Sequence, residues 1–203
     1  MLIDFIEIQE DVPTIFDVGC FMDPHGTDFT GLCLERWEKA NVYAFDPINF
    51  KEYETTYASL DNVRLSKVAL DESKGKKSIT FTPALRGLTS FYDRPAFSQF
   101  GLERRTVEIS CDTVDEICQK NEIDNIDILK IDTEGAEMRV LRGARSMLDE
   151  RKINYIYTEC GGCAADAGYT KNDLCSFLRG YGFEIVSEND EDILFRRSHV
   201  SKK

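Results

Sequence analysis

The sequence predicts an α/β fold built on a parallel sheet, and three observations carry that prediction. Strand-length apolar runs alternate with helical segments through the first third of the chain. Residues 126–144, IDILKIDTEGAEMRVLRGA, pass from an apolar run through an acidic turn into an amphipathic helix, which is one half of a βαβ unit. The chain has 203 residues, 42% hydrophobic and 31% charged, which suits a single soluble domain with a sizeable core.

Taken in order, residues 14–19 (TIFDVG) form the first strand, and 27–40 a helix with Phe29, Leu32, Cys33 and Trp37 on its inner face. Residues 42–45 are the second strand, with Asp46 at its end; a helix over about 50–60 leads to a third strand, 63–70. From 71 to 110 the alternation stops. A turn at 73–76, a strand at 78–82, a loop at 83–100 rich in aromatic residues and a strand at 106–111 read as an inserted β excursion covering the edge of a site. In that loop Thr89, Ser90, Phe91 and Tyr92 either pack on one another or touch a ligand. Asp112 is placed to cap a helix running to about Asn121. Residues 126–131 are the fourth strand, and the helix after it buries Ala136, Val140, Leu141, Ala144 and Leu148. The fifth strand, 153–158, ends in Glu159; a Gly-rich loop, a helix over 170–180 capped by Thr170, and a hairpin of 183–187 with 193–196 complete the core. The expected organisation is one domain over 1–203 with a core of about 14–196, a length compatible with excision from a longer protein.

The net charge of -12, from 37 acidic and 25 basic residues, repels phosphate backbones and argues against a nucleic-acid partner. The acidic start, MLIDFIEIQEDVP, is not a signal peptide, and no apolar run approaches the ~20 residues needed to span a bilayer. Of the seven cysteines, Cys160 and Cys163 make a lone C-x-x-C, whereas a structural zinc site wants a second pair. Reduced thiols in a cytoplasmic setting are the simpler reading.

Ligands of open α/β sheets bind outside the carboxyl ends of the strands. Asp17 with Gly19, Asp46, Ala69, Asp132 and Glu159 fall at those ends in strands one to five. Gly19 permits a tight turn and close backbone approach, and an acidic residue ending strand two typically accepts from ribose hydroxyls. Asp46 before Pro47 also makes an ordinary turn. A dinucleotide fingerprint would need glycine at positions 21 and 24, which are Phe21 and Pro24, so a nicotinamide enzyme is disfavoured. A nucleoside-like cofactor is expected across strands one to three, with a substrate over strands four and five. Helix starts attract acidic residues through their dipole, but Asp132, Glu134 and Glu137 together exceed what capping needs.

The motifs FDVGC at 16–20, YAFDP at 43–47, KVAL at 67–70, VEISCDTVDEI at 107–117 and DILKIDTEGAEMRVLRGA at 127–144, with Glu159, resemble the FkbM family of S-adenosylmethionine-dependent methyltransferases. The likeness runs from Thr14 to Phe195. Where the family has a small residue, Asn, one residue and Gly after the first glycine, this chain has Cys20, Phe21, Met22 and Asp23, with the next glycine at Gly26. The resemblance implies a Rossmann-like class I methyltransferase fold: seven strands, six of them parallel, helices on both faces and the last strand antiparallel between strands five and six; the excursion at 71–110 is then a β insertion after strand three. It implies that Asp17, Gly19, Cys20 and Phe21 lie at the methionine end of the cofactor, Asp46 and Pro47 at the ribose, and Val68 and Ala69 at the adenine.

The reaction implied is methyl transfer to a hydroxyl, that of a sugar or glycan, which needs a base to take the hydroxyl proton as the bond forms. Candidates are Asp132, Glu134, Glu159 and His25. Asp132 and Glu159 could instead hold a divalent cation. Lys130 is in register with Asp132 and is expected to ion-pair with it. A non-catalytic cofactor-binding or scaffold domain of the same fold is the alternative. The sequence leaves the oligomeric state undetermined.

Overall fold

The computed structural model describes residues 2–22, 28–48, 51–83, 89–92, 102–161 and 163–198. Among these residues ten strands fall into two sheets. The large one holds β1 (Thr14–Val18), β2 (Asn41–Phe45), β3 (Val63–Ser66), β7 (Ile126–Ile131), β8 (Ile153–Glu159), β9 (Phe183–Glu188) and β10 (Asp192–Arg197), in the order β3-β2-β1-β7-β8-β10-β9. The pairings β1–β2, β2–β3, β1–β7 and β7–β8 are parallel, and β10 runs antiparallel to both of its neighbours. This is the predicted seven-stranded sheet with its last strand reversed.

Alternation along the strands divides the core into two layers. Phe16, Leu129, Ile131 and Ile156 pack on one face, against residues of α3 (Val114–Lys120), α4 (Glu137–Arg142), α5 (Arg145–Asp149) and α7 (Lys171–Gly180). Ile15, Val42 and Ile128 pack on the other, against α1 (Phe29–Arg36) and the 3-10 turn Leu2–Phe5. Helix α2 (Lys51–Tyr57) adds Tyr53 and Tyr57 to a smaller cluster with Cys20 and Ala44. Every residue of β7 is buried, as befits a strand covered on both sides.

The small sheet, order β4-β6-β5, comprises β4 (Ala69–Leu70), β5 (Gly75–Phe81) and β6 (Arg105–Asp112). The third strand is therefore shorter than the sequence suggests. The Val68 N–H turns back to the Ser66 carbonyl at 2.9 Å, and this tight turn takes the chain out of the large sheet so that Ala69 and Leu70 pair with β6. The buried Asp71 then clamps the small sheet to α4. It accepts from Arg139 at 2.8 and 3.0 Å, from Lys77, and from the Glu72 N–H.

Two further local expectations change. Thr113, not Asp112, caps α3, accepting from the Glu116 N–H at 3.1 Å; the Asp112 carboxylate takes the Thr113 N–H and Lys120 instead. The helix expected to run on past residue 144 breaks at Gly143. A Cβ there would stand 2.1 Å from the Asp71 carbonyl oxygen, and the Gly143 carbonyl leaves the helix ladder to accept from Asp115. Asp115 in turn caps α5 through the N–H groups of Ser146 and Met147. The short helix α6 (Cys163–Asp166) occupies the Gly-rich loop, and none of the seven cysteines forms a disulfide. Among the described residues no helix is long and apolar enough to cross a membrane.

Candidate active site

Two adjoining cavities open at the carboxyl ends of the parallel strands, each of about 290 Å3. They share Phe21, Asp132, Glu159 and Asp192 as a common wall. The first extends over β1 and β2 and under the small sheet, past Gly19, Phe45, Asp46, Pro47, Leu70 and Ile79. The second lies toward α1, past Asp17, Asp28, Phe29, Lys130 and Tyr157.

The floor is set by the crossing of two strand ends. Gly19 has φ +76°, a conformation that disfavours a side chain, and an added Cβ would stand 1.7 Å from the Asp132 carbonyl oxygen. Its N–H donates to the Phe45 carbonyl at 2.9 Å, while the Asp132 N–H donates to Val18 at 3.0 Å. Turning through this glycine sends the Cys20 side chain down into the core with Ala44, Tyr53 and Tyr57, whereas Phe21 reaches the shared wall. Asp17 and Lys130 are register partners on adjacent strands, so their side chains lie on the same face. Lys130 Nζ stands 3.1 Å from Asp17, 2.9 Å from the Gly19 carbonyl and 3.5 Å from Asp132. Burial opposes its charge, but Asp17 and Asp132 outweigh that and hold the ammonium above its ordinary range. Asp17 is 1% exposed and also accepts from Thr30 and Tyr53, so it buttresses the loop and lines the second cavity only. Asp46 lines the first cavity, and its carboxylate accepts the Ile48 N–H at 2.7 Å. Ala69 borders the same cavity; Val68 packs against the core.

The acidic turn is braced from below. Glu137 is 2% exposed, and one oxygen accepts from the Thr133 N–H, the Thr133 hydroxyl and the Gly135 N–H, each at 3.0 Å, while the other takes the Tyr169 hydroxyl. This leaves Glu134 at φ +55°, a strained position for a non-glycine residue. Ser90 secures it, donating to the Glu134 carbonyl at 2.6 Å, and the Cys163 thiol donates to the Glu134 carboxylate at 2.9 Å. Thr89 and Phe91 line the cavity, and Phe91 also lies under the Arg139 guanidinium at 5.3 Å.

Asp132, Glu134 and Glu159 bring carboxylate oxygens within 4.8 Å of one another. Burial, then the hydrogen bond and charge of Asp132, then Glu134 and Glu137, push the Glu159 carboxyl up to about 9. Three carboxyl groups this close either share protons or surround a cation. His25 lies outside the described residues. Glu191 and Asp192, where the β9–β10 hairpin turns, also line the first cavity. Asp192 is the register partner of Glu159, a neighbour relation that follows only from placing the last strand beside β8.

The profile of the methyltransferase FkbM domain matches residues 22–185. The 2-O-methyltransferase NoeI of Sinorhizobium fredii (strain NBRC 101917 / NGR234) is 28% identical over 165 residues, which cover 75% of this chain and 65% of that relative's length. The crystal structure of methyltransferase FkbM from Methylobacillus flagellatus KT superposes with a TM-score of 0.59 at 17% identity, over 92% of this chain and 44% of that one, and shows a shared fold. With the domain profile covering most of its length, the chain belongs to the FkbM methyltransferase family.

Proposed function

We propose that this chain is an S-adenosylmethionine-dependent O-methyltransferase acting on a hydroxyl of a sugar or glycan. The observation that carries the reading is the seam between the two cavities. There Asp132 and Glu159, from adjacent strand ends, face a space reached from both sides. The first cavity suits a nucleoside: Asp46 offers a carboxylate to ribose hydroxyls, and Leu70, Ile79 and Phe91 offer apolar surface to a base. Phe21 and Pro47 complete its walls. When bound, the cofactor supplies an electrophilic sulfonium methyl.

The residues of this chain then have three tasks. The first cavity fixes one partner and the second admits the acceptor, so that the hydroxyl oxygen is held within a near-attack distance of about 3–3.5 Å. Asp132, steadied by Lys130, takes the hydroxyl proton as the new bond forms. Glu159, protonated at neutral pH, donates a hydrogen bond across the seam rather than adding a second negative charge. O-methylation is supported by the name of one relative, the 2-O-methyltransferase NoeI.

A second reading follows from the 4.8 Å grouping: Asp132, Glu134 and Glu159 would hold a divalent cation beside the acceptor hydroxyl. The test of the main reading is transfer of labelled methyl from S-adenosylmethionine to a panel of glycosides, with and without a chelator, beside calorimetry with S-adenosylhomocysteine. Transfer that survives the chelator supports the proton-sharing pair, and transfer abolished by it supports the cation. Cofactor binding without transfer to any acceptor would favour a scaffold domain.

A further inference from the structure

We propose that the acceptor is an uncharged or amino-bearing sugar that arrives without phosphate, nucleotide or carboxylate groups. The step that supplies it must then be one that releases the activating phosphate, such as glycosyl transfer. The inference rests on the sugar O-methyltransferase reading and narrows its substrate class.

Around the seam stand the carboxylates of Asp132, Glu134, Glu191 and Asp192 beside the protonated Glu159, and the described residues lining the first cavity include no Lys, Arg or His. Among the described residues the second cavity adds one cation, Lys130, and it is already committed to the Gly19 carbonyl at 2.9 Å, Asp17 at 3.1 Å and Asp132 at 3.5 Å. Arg139 lies behind the wall, held bidentate by Asp71. An anionic acceptor entering here meets like charges, and the described lining offers it no uncommitted cation. A neutral sugar meets the reverse: its hydroxyls are donors, and ionised carboxylates are acceptors only. An amino group gains charge attraction as well. The second cavity also carries an aromatic pair, Phe29 and Tyr157, with ring centroids 5.6 Å apart, which gives the apolar face of a pyranose something to lie against.

Each like charge about 4 Å away in a watery setting lowers kcat/KM by about fivefold, and several of them acting together by on the order of 50-fold. The penalty weakens as salt screens it over a Debye length of about 10 Å at 0.1 M. The experiment compares four acceptors sharing one ring: a neutral methyl glycoside, its amino counterpart, its uronate and its nucleoside diphosphate, at low and high salt. The neutral and amino acceptors should be methylated, the two anionic ones about 50-fold less well at low salt, with the gap narrowing at high salt. Glu191 is exposed, so its substitution spares the fold. Glu191→Lys should raise the uronate-to-neutral ratio by about fivefold or more, and Glu191→Gln by less. Equal methylation of neutral and anionic acceptors, or a ratio that Glu191→Lys leaves unmoved, overturns the inference and leaves the O-methyltransferase reading standing. Methylation of no acceptor, with S-adenosylhomocysteine still bound, overturns both.

Discussion

Replacing Glu159 by Gln should stabilise the protein, and more so as the pH rises. Burial and the neighbouring Asp132 carry the Glu159 carboxyl from its ordinary 4.5 up to about 9. Between those values the folded protein keeps a proton that the unfolded chain has released. Stability contributed by this group is therefore intact below pH 4.5, falls as pH rises through the window, and levels off above about 9. From pH 4.5 to 7.5 the full effect would be about 4 kcal/mol at ~1.4 kcal/mol per pH unit. Glu159 is only half-buried, and solvent screening reduces this to about 1–2 kcal/mol. Gln cannot ionise but keeps the size and one donor. Glu159→Gln should thus melt with the wild type at pH 4.5 and about 2–8 °C above it at pH 7.5, since ~1 kcal/mol moves a domain of this size by roughly 2–4 °C. Thermal melts of both proteins from pH 4.5 to 9, in chelator, read this directly. Melting curves that stay parallel across the range would refute the proton-sharing account.

Three other substitutions probe the frame of the site. Gly19→Ala places a methyl 1.7 Å from the Asp132 carbonyl in a left-handed backbone, and urea unfolding should show a loss of about 3 kcal/mol or more. Lys130→Met strands the buried Asp17 carboxylate and should cost about 3–5 kcal/mol by the same measurement; a loss below about 1 kcal/mol would mean that Thr30 and Tyr53 suffice to hold it. Glu137→Ala removes the acceptor of the Thr133 and Gly135 N–H groups and of the Tyr169 hydroxyl, so it should lose about 2–4 kcal/mol and show faster amide exchange across residues 132–137.

The large sheet was legible because β1, β2, β7 and β8 are each a short apolar run ended by a turn residue, and period and punctuation suffice for such elements. The reach of β3 was not, because the Ser66–Val68 turn is fixed by the partner that Ala69 and Leu70 find in β6, more than 30 residues later. The break at Gly143 has the same origin: only the packing of Asp71 against that glycine demands it. At the site, strand ends told which residues reach the rim. They did not tell which way the chain turns beyond a strand, so Cys20 and Val68, one or two residues past it, point into the core. Glu191 and Asp192 needed the register of β10 on β8, which the expected strand order does not supply, before they could be joined to Glu159.

The central claim is that Asp132 takes the acceptor proton at the seam of the two cavities. Single-turnover transfer of labelled methyl to a neutral glycoside by Asp132→Asn, with S-adenosylhomocysteine affinity measured beside it, tests that claim most directly. The account predicts a rate lower by about 100- to 10,000-fold, with cofactor affinity nearly unchanged. An Asn variant that transfers methyl at the wild-type rate would contradict it.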